Sequence, residues 1–156
     1  MHAQVPIKRI LVGIDFSDAA RQAFYAAIGL ASRVDAETYV LHVAEPIRAF
    51  DFGKKRYVET AETIERVEAG VKRRLDELWK EGGAEAVDRR KVHVIVRGGK
   101  AAPEILATAK AKNVDLIVLG SSEHGGFGSA LGSVPDKVMH DAHCSVLCVR
   151  ARGEKE

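Results

Sequence analysis

Apolar positions along the chain gather into five short, nearly continuous runs, at 10–15, 38–43, 92–96, 116–120 and 145–149. The runs are rich in β-branched residues and lack the strict alternation of a half-exposed strand. That pattern predicts strands covered on both faces of a parallel sheet. Between the runs the apolar spacing changes to three and four. Ser17 is placed to cap a helix with Ala20, Phe24, Ala27, Ile28 and Ala31 on one face. The series Tyr57, Ala61, Ile64, Val67, Val71, Leu75, Leu78 and Trp79 predicts a long amphipathic helix from about Lys54 to Lys80, ended by Gly82-Gly83. Residues 44–53 then read as the one long irregular connection. Pro103 suits the first turn of a third helix bearing Ile105, Leu106 and Ala109. Ser133 is placed to cap a fourth, with Pro135 in its first turn and Val134, Val138 and Met139 turned inward. Strand and helix alternate throughout, which implies right-handed βαβ units and an α/β, doubly wound sheet. A single domain over 1–156 is expected, with its core at about 7–150 and a charged tail after Arg150.

Composition narrows the partners. With 46% hydrophobic and 29% charged residues over 156 positions, the chain has the make-up of a folded globular protein. Lys+Arg 24 against Asp+Glu 22 gives no electrostatic case for a nucleic-acid or anionic-membrane partner, and neither is expected. The basic triplets Lys54-Lys55-Arg56, Lys72-Arg73-Arg74 and Arg89-Arg90-Lys91 each have acids nearby and read as solvated faces. No apolar run is long enough to span a bilayer, and residues 1–8 lack the order of a signal peptide. Two cysteines do not make a disulfide framework, so a cytoplasmic location is expected. Cys144 and Cys148 share a strand face and read as small core residues rather than as metal ligands with His140 and His143. His42 and His93, inside strands, read as hydrogen-bonded core residues.

Ligands of such sheets bind beyond the carboxyl ends of strands, where the strand order reverses. Asp15 ends the first run. Gly120 ends the fourth and opens a segment in which five of the 14 glycines fall between Gly120 and Gly132. Glycines let backbone amides approach an anion, and this segment leads into the start of the fourth helix, where Ser133 adds a hydroxyl. His124, inside the segment, is within chemical reason as a phosphate contact. G-x-x-x-x-G-K-[ST] is absent, as is a G-x-G-x-x-G after the first strand, which excludes a P-loop and weakens a dinucleotide reading. Asp15 with Asp18 falls short of a phospho-acceptor pocket, because Arg150 stands where a lysine is wanted. No nucleophile–base pair can be placed, so a dedicated enzyme is not expected.

Taken in order, residues 8–17, Leu41-His42-Val43, residues 115–121, Gly132-Ser133-Val134 and residues 144–150 resemble the universal stress protein family. The resemblance implies an adenine-nucleotide alpha-hydrolase-like three-layer sandwich with its five strands in the order 3-2-1-4-5. It also implies a homodimer paired through the strand at 145–149. In nucleotide-binding members the fourth strand is followed by G-x2-G-x9-G-[ST], which holds the phosphates of ATP. Here Gly120 and Gly132-Ser133 match the ends, Glu123 occupies the second glycine's place, and the interval is one residue short. Gly125, Gly126 and Gly128 supply backbone freedom at a shifted position. The implied site has Asp15 and the backbone of Val43 at base and ribose, and Gly120, Gly125, Gly132 and Ser133 at the phosphates, with Mg²⁺. The expected function is a dimeric ATP-binding regulatory or sensing module of the stress response. Two alternatives stay open: a nucleotide-free interaction protein with unknown protein partners, and a weak ATPase.

Overall fold

Two of the apolar runs are strands with both faces covered. β1 (Arg9–Gly13) buries Ile10, Leu11 and Val12 completely, and β6 (Leu116–Ser121) does the same with Ile117 and Val118. The computed structural model describes residues 6–60, 63–82, 87–121 and 133–151. β1 and β6 are parallel neighbours at the centre of a five-stranded sheet. β2 (Glu37–Ala44) pairs with the other side of β1, and β5 (Val92–Gly98) with β2. β7 (Ser145–Arg150) closes the far edge against β6. The order β5-β2-β1-β6-β7, parallel throughout, is the expected 3-2-1-4-5 arrangement of the five main strands.

Alternate residues of the central strands feed two separate cores. Ile10, Val12 and Val118 meet α1 (Asp18–Val34) and α2 (Ile64–Glu81) through Phe24, Ala27, Leu75 and Trp79. Leu11, Leu41 and Ile117 meet α3 (Ala101–Ala111) and α4 (Ser133–Asp141) through Ile105, Ala109 and Val138. The result is a helix–sheet–helix sandwich. Ser17 caps α1 as expected, its hydroxyl oxygen accepting the Ala20 amide at 3.3 Å. Asp35, in the left-handed region at φ 58°, ends the helix.

The connection after β2 departs from expectation. Instead of an irregular stretch leading into a helix from Lys54, the chain forms an antiparallel hairpin, β3 (Ile47–Asp51) with β4 (Arg56–Thr60). α2 starts only at Ile64. Tyr57 therefore belongs to β4, where Tyr57 and Val58 favour extended backbone. The turn was written in the sequence as Asp51-Phe52-Gly53. The Asp51 carboxylate accepts the amides of Gly53 at 2.9 Å and Lys54 at 3.1 Å.

Smaller corrections follow from sheet position. Met139 is 47% exposed rather than inward, because α4 is short and lies near the β7 edge. His93 is on the edge strand β5, exposed, and pairs with Glu37 at 2.7 Å. Cys144 and Cys148 are half-buried rather than fully buried; Cys144 packs against the core under α3 and α4, and the Cys148 thiol lies 3.5 Å from the Met139 sulfur. Burial pushes both thiols above their ordinary pKa, reinforced by the Asp115 carboxylate at Cys144 and by Asp136 at Cys148. A raised thiol pKa means less thiolate in the folded chain than in the unfolded one. The stability linked to these protonated thiols is thus present below the ordinary thiol pKa and lost as pH rises through the raised one. Alkylation by iodoacetamide at pH 8 is expected to be slower in the native protein than in urea, and equal rates would contradict this reading.

Candidate functional site

β2 and β6 flank β1 on opposite sides, so the carboxyl end of β1 is the topological switch point. A cavity of about 250 Å³ opens there, near the lower end of the size range of small-molecule pockets, about 300 Å³. Asp15 lines it beyond β1, Val43 from β2, Gly120 from β6 and Ser133 from the start of α4. Four of the six residues expected from sequence are therefore brought together. The other two, Gly125 and Gly132, lie outside the described residues, as do Glu123 and His124.

The segment after β1 is a fixed elbow. Asp15 Oδ1 accepts from the Ser17 amide at 3.0 Å and from the Ser17 hydroxyl at 2.6 Å. The same Ser17 oxygen accepts the Ala20 amide, so Asp15 supports the α1 cap while standing at the cavity wall. Phe16 between them adopts φ 63°, a left-handed conformation that costs a bulky residue about 1–2 kcal/mol. Two contacts hold it, and a third fixes one of its partners. The Phe16 ring lies 5.8 Å from the His42 ring, the Arg74 guanidinium sits 4.6 Å from its centroid, and His42 Nδ1–H donates to the Ile14 carbonyl at 2.7 Å. That last bond fixes His42 in its Nδ1-protonated form. His42 is accordingly hydrogen-bonded as the sequence implied, though half-buried rather than in the core.

Gly120 has a steric role that its place in a glycine-rich segment concealed. A Cβ there would come within 2.3 Å of the Ala19 carbonyl carbon and 2.6 Å of the Ala20 amide nitrogen. The end of β6 and the first turn of α1 touch backbone to backbone, and only glycine fits between them. Gly13 and Ile105 also line the cavity and were not singled out from sequence. Their signals are faint: a glycine interrupting a β-branched run, and an apolar position in the first turns of α3.

The polarity of the cavity is divided. One side offers the Asp15 carboxylate, an acceptor for hydroxyl or amine donors. The other offers the N-terminus of α4 with the Ser133 hydroxyl, where amide N–H groups and the helix dipole favour anions. Leu41, Val43 and Ile105 give apolar wall between. No group of three metal-ligating side chains occurs among the described residues. Among the described residues Asp15 is the one carboxylate lining the cavity, so with these residues a magnesium ion fits as a companion of bound phosphates rather than as a resident of a protein cage.

The model described as the universal stress protein family matches residues 6–150. The chain belongs to that family. A universal stress protein of Methanocaldococcus jannaschii is 31% identical over 92% of this chain and 82% of its own length. One from Thermus aquaticus is 35% identical over 92% of this chain and 98% of its own. Among solved structures, the universal stress protein UspA of Lactobacillus plantarum superposes with a TM-score of 0.69 at 23% identity, covering 94% of this chain and 100% of that one. A universal stress protein in complex with cAMP gives 0.66 at 20% identity over 95% of this chain and 100% of that one. The Archaeoglobus fulgidus protein in complex with dAMP gives 0.55 at 20%, over 93% and 99%. These likenesses establish the adenine-nucleotide alpha-hydrolase-like fold.

Proposed function

We propose that this universal stress protein is an adenine-nucleotide-binding regulatory or sensing module. The observation that carries the reading is the cavity at the switch point, on which Asp15, Val43, Gly120 and Ser133 converge from four separate stretches of chain. The complexes of fold relatives with cAMP and dAMP support an adenine nucleotide as the ligand class. The divided polarity supports one orientation. Base and ribose donors lie toward Asp15 and the Val43 backbone, which keeps the phosphates away from the Asp15 carboxylate and its repulsion. The phosphates of ATP, with Mg²⁺, lie toward Gly120, Ser133 and the glycines Gly125 and Gly132. The chain's own groups bind and orient; the ion, when bound, neutralises phosphate charge. A homodimer through 145–149 accompanies this reading, supported by β7 being an open sheet edge on which Leu147 is 42% exposed.

The test is thermal unfolding with and without Mg-ATP. Ligand at ten times its Kd adds about 1.4 kcal/mol, which for a chain of this size raises Tm by roughly 3–5 °C. ADP, AMP and cAMP rank the phosphate requirement. No shift and no calorimetric heat at millimolar nucleotide would overturn the proposal. Glu123, in place of the family's second loop glycine, favours a second reading in which nucleotide binding has been lost. Binding gained by Glu123→Gly and absent from the parent would establish that reading instead.

A further inference from the structure

The β3–β4 hairpin stands apart from the five-stranded sheet and presents three aromatic side chains to solvent. A two-stranded hairpin is marginal in water unless something covers its apolar face. Phe50 and Tyr57 are register partners whose rings meet edge-on at 5.2 Å, and Phe52 meets Phe50 edge-on at 5.0 Å. Phe50 is 42% exposed, Tyr57 65% and Phe52 84%. Lys55 at φ 51° and the two amides held by Asp51 set the turn. It presents three consecutive exposed cations, Lys54, Lys55 and Arg56, beside the aromatic cluster. Over 47–60 the arm carries the cations Arg48, Lys54, Lys55 and Arg56 against two acids, Glu59 and Asp51, the latter held by the amides of the turn. The near-neutral balance of the whole chain conceals this local excess, and the acids of α2 lie on another element.

We propose that the hairpin is a docking arm for an anionic lipid bilayer. Phe52 and Phe50 enter the boundary between headgroups and acyl chains, and Lys54, Lys55 and Arg56 meet the anionic headgroups. Apolar rings gain by leaving water at that depth, and basic residues near an anionic surface add an attraction of their own. Other occupants fit less well. A second copy of the arm would bring the same cations together. A single nucleic-acid strand wants open ring faces for stacking, whereas the Phe50 ring has two others packed edge-on around it. The arm leaves β2 just beyond Val43, at the end of the sheet where the cavity opens, so surface attachment and the ligand site share one pole of the molecule.

The test is co-sedimentation of the full chain with vesicles of phosphatidylcholine alone and of phosphatidylcholine with phosphatidylserine. Binding is expected to the anionic vesicles, falling as salt rises. Lys54→Gln with Lys55→Gln weakens it roughly twenty-five-fold, about fivefold per lysine. Phe52→Ser weakens it roughly tenfold; this side chain is exposed, so the fold survives, as an unchanged Tm records. Phe52→Trp adds an emission that shifts to the blue on anionic vesicles, which distinguishes insertion from surface adsorption. Equal binding to both vesicle types, no binding at low salt, or binding untouched by Phe52→Ser overturns the proposal. Capture of single-stranded poly-U in place of vesicles, abolished by Phe52→Ser, assigns the arm to nucleic acid and overturns it too.

Discussion

Gly120→Ala is expected to cost about 3 kcal/mol of stability, the upper end of ordinary overpacking, and to lower Tm by roughly 6–12 °C for a chain of this size. The added methyl would lie 2.3 Å and 2.4 Å from the Ala19 carbonyl carbon and oxygen, and 2.6 Å from the Ala20 amide nitrogen. Those are backbone atoms in the first turn of α1, a helix whose inward face is held by Ala23, Phe24 and Ala27, all fully buried. No rotamer change relieves such a contact. Either the helix moves off the sheet or the end of β6 bends, and both disturb a close-packed core. Gly13→Ala is the control. Its methyl would meet the Leu119 Cδ2 at 2.9 Å, the mobile end of a side chain, so the expected loss is below about 1.5 kcal/mol. Urea unfolding of both variants decides the matter, and a Gly120→Ala protein as stable as the parent would disprove the close approach. The consequence for function is direct. Loss of nucleotide binding in Gly120→Ala reports a displaced α1 as readily as a lost phosphate contact, so Ser133→Ala is the cleaner probe of the phosphate end.

Gly120 also illustrates how much the sequence discloses. Strands covered on both faces leave unbroken apolar runs, and for that reason β1 and β6, with Ile10, Leu11, Ile117 and Val118, were legible as strands. Ser17, a hydroxyl residue immediately before an apolar periodicity, was legible as a cap. The order of the strands was not contained in periodicity; it came with the family resemblance, and with it the meeting of Asp15, Val43, Gly120 and Ser133. The hairpin was hidden for a physical reason. Tyr57 stands seven residues before Ile64, a spacing that continues the α2 periodicity backward, so a β-strand passed for the first turns of a helix. The steric role of Gly120 was hidden as well, because one-dimensional sequence cannot report that β6 and α1 touch backbone to backbone. Glycine at that position satisfies a packing demand whether or not a phosphate binds nearby.

Asp15→Asn separates the two duties that converge on this carboxylate. In the folded chain Asp15 Oδ1 accepts from the Ser17 amide and hydroxyl, and so steadies the α1 cap and the left-handed Phe16. An asparagine side-chain oxygen accepts both bonds and is well suited to this kind of turn. The stability of Asp15→Asn is therefore expected to stay within about 1 kcal/mol of the parent, the difference reflecting a weaker acceptor for the 2.6 Å hydroxyl bond. Affinity for ATP is a different matter. A hydrogen bond from ligand to carboxylate is worth about 1.5–3 kcal/mol, so replacing the charge is expected to weaken binding by roughly tenfold to a hundredfold. Ser17→Ala supplies the opposite pattern: it removes the cap, at a cost of about 1 kcal/mol, while leaving the Asp15 charge in place. Calorimetric titration of both variants beside their unfolding curves distinguishes the duties. If affinity in the two falls in proportion to stability, Asp15 acts through the helix cap alone. If Asp15→Asn loses affinity at nearly parental stability while Ser17→Ala loses stability at nearly parental affinity, the carboxylate meets the nucleotide itself, and the strained elbow at Phe16 is what holds it at the cavity wall.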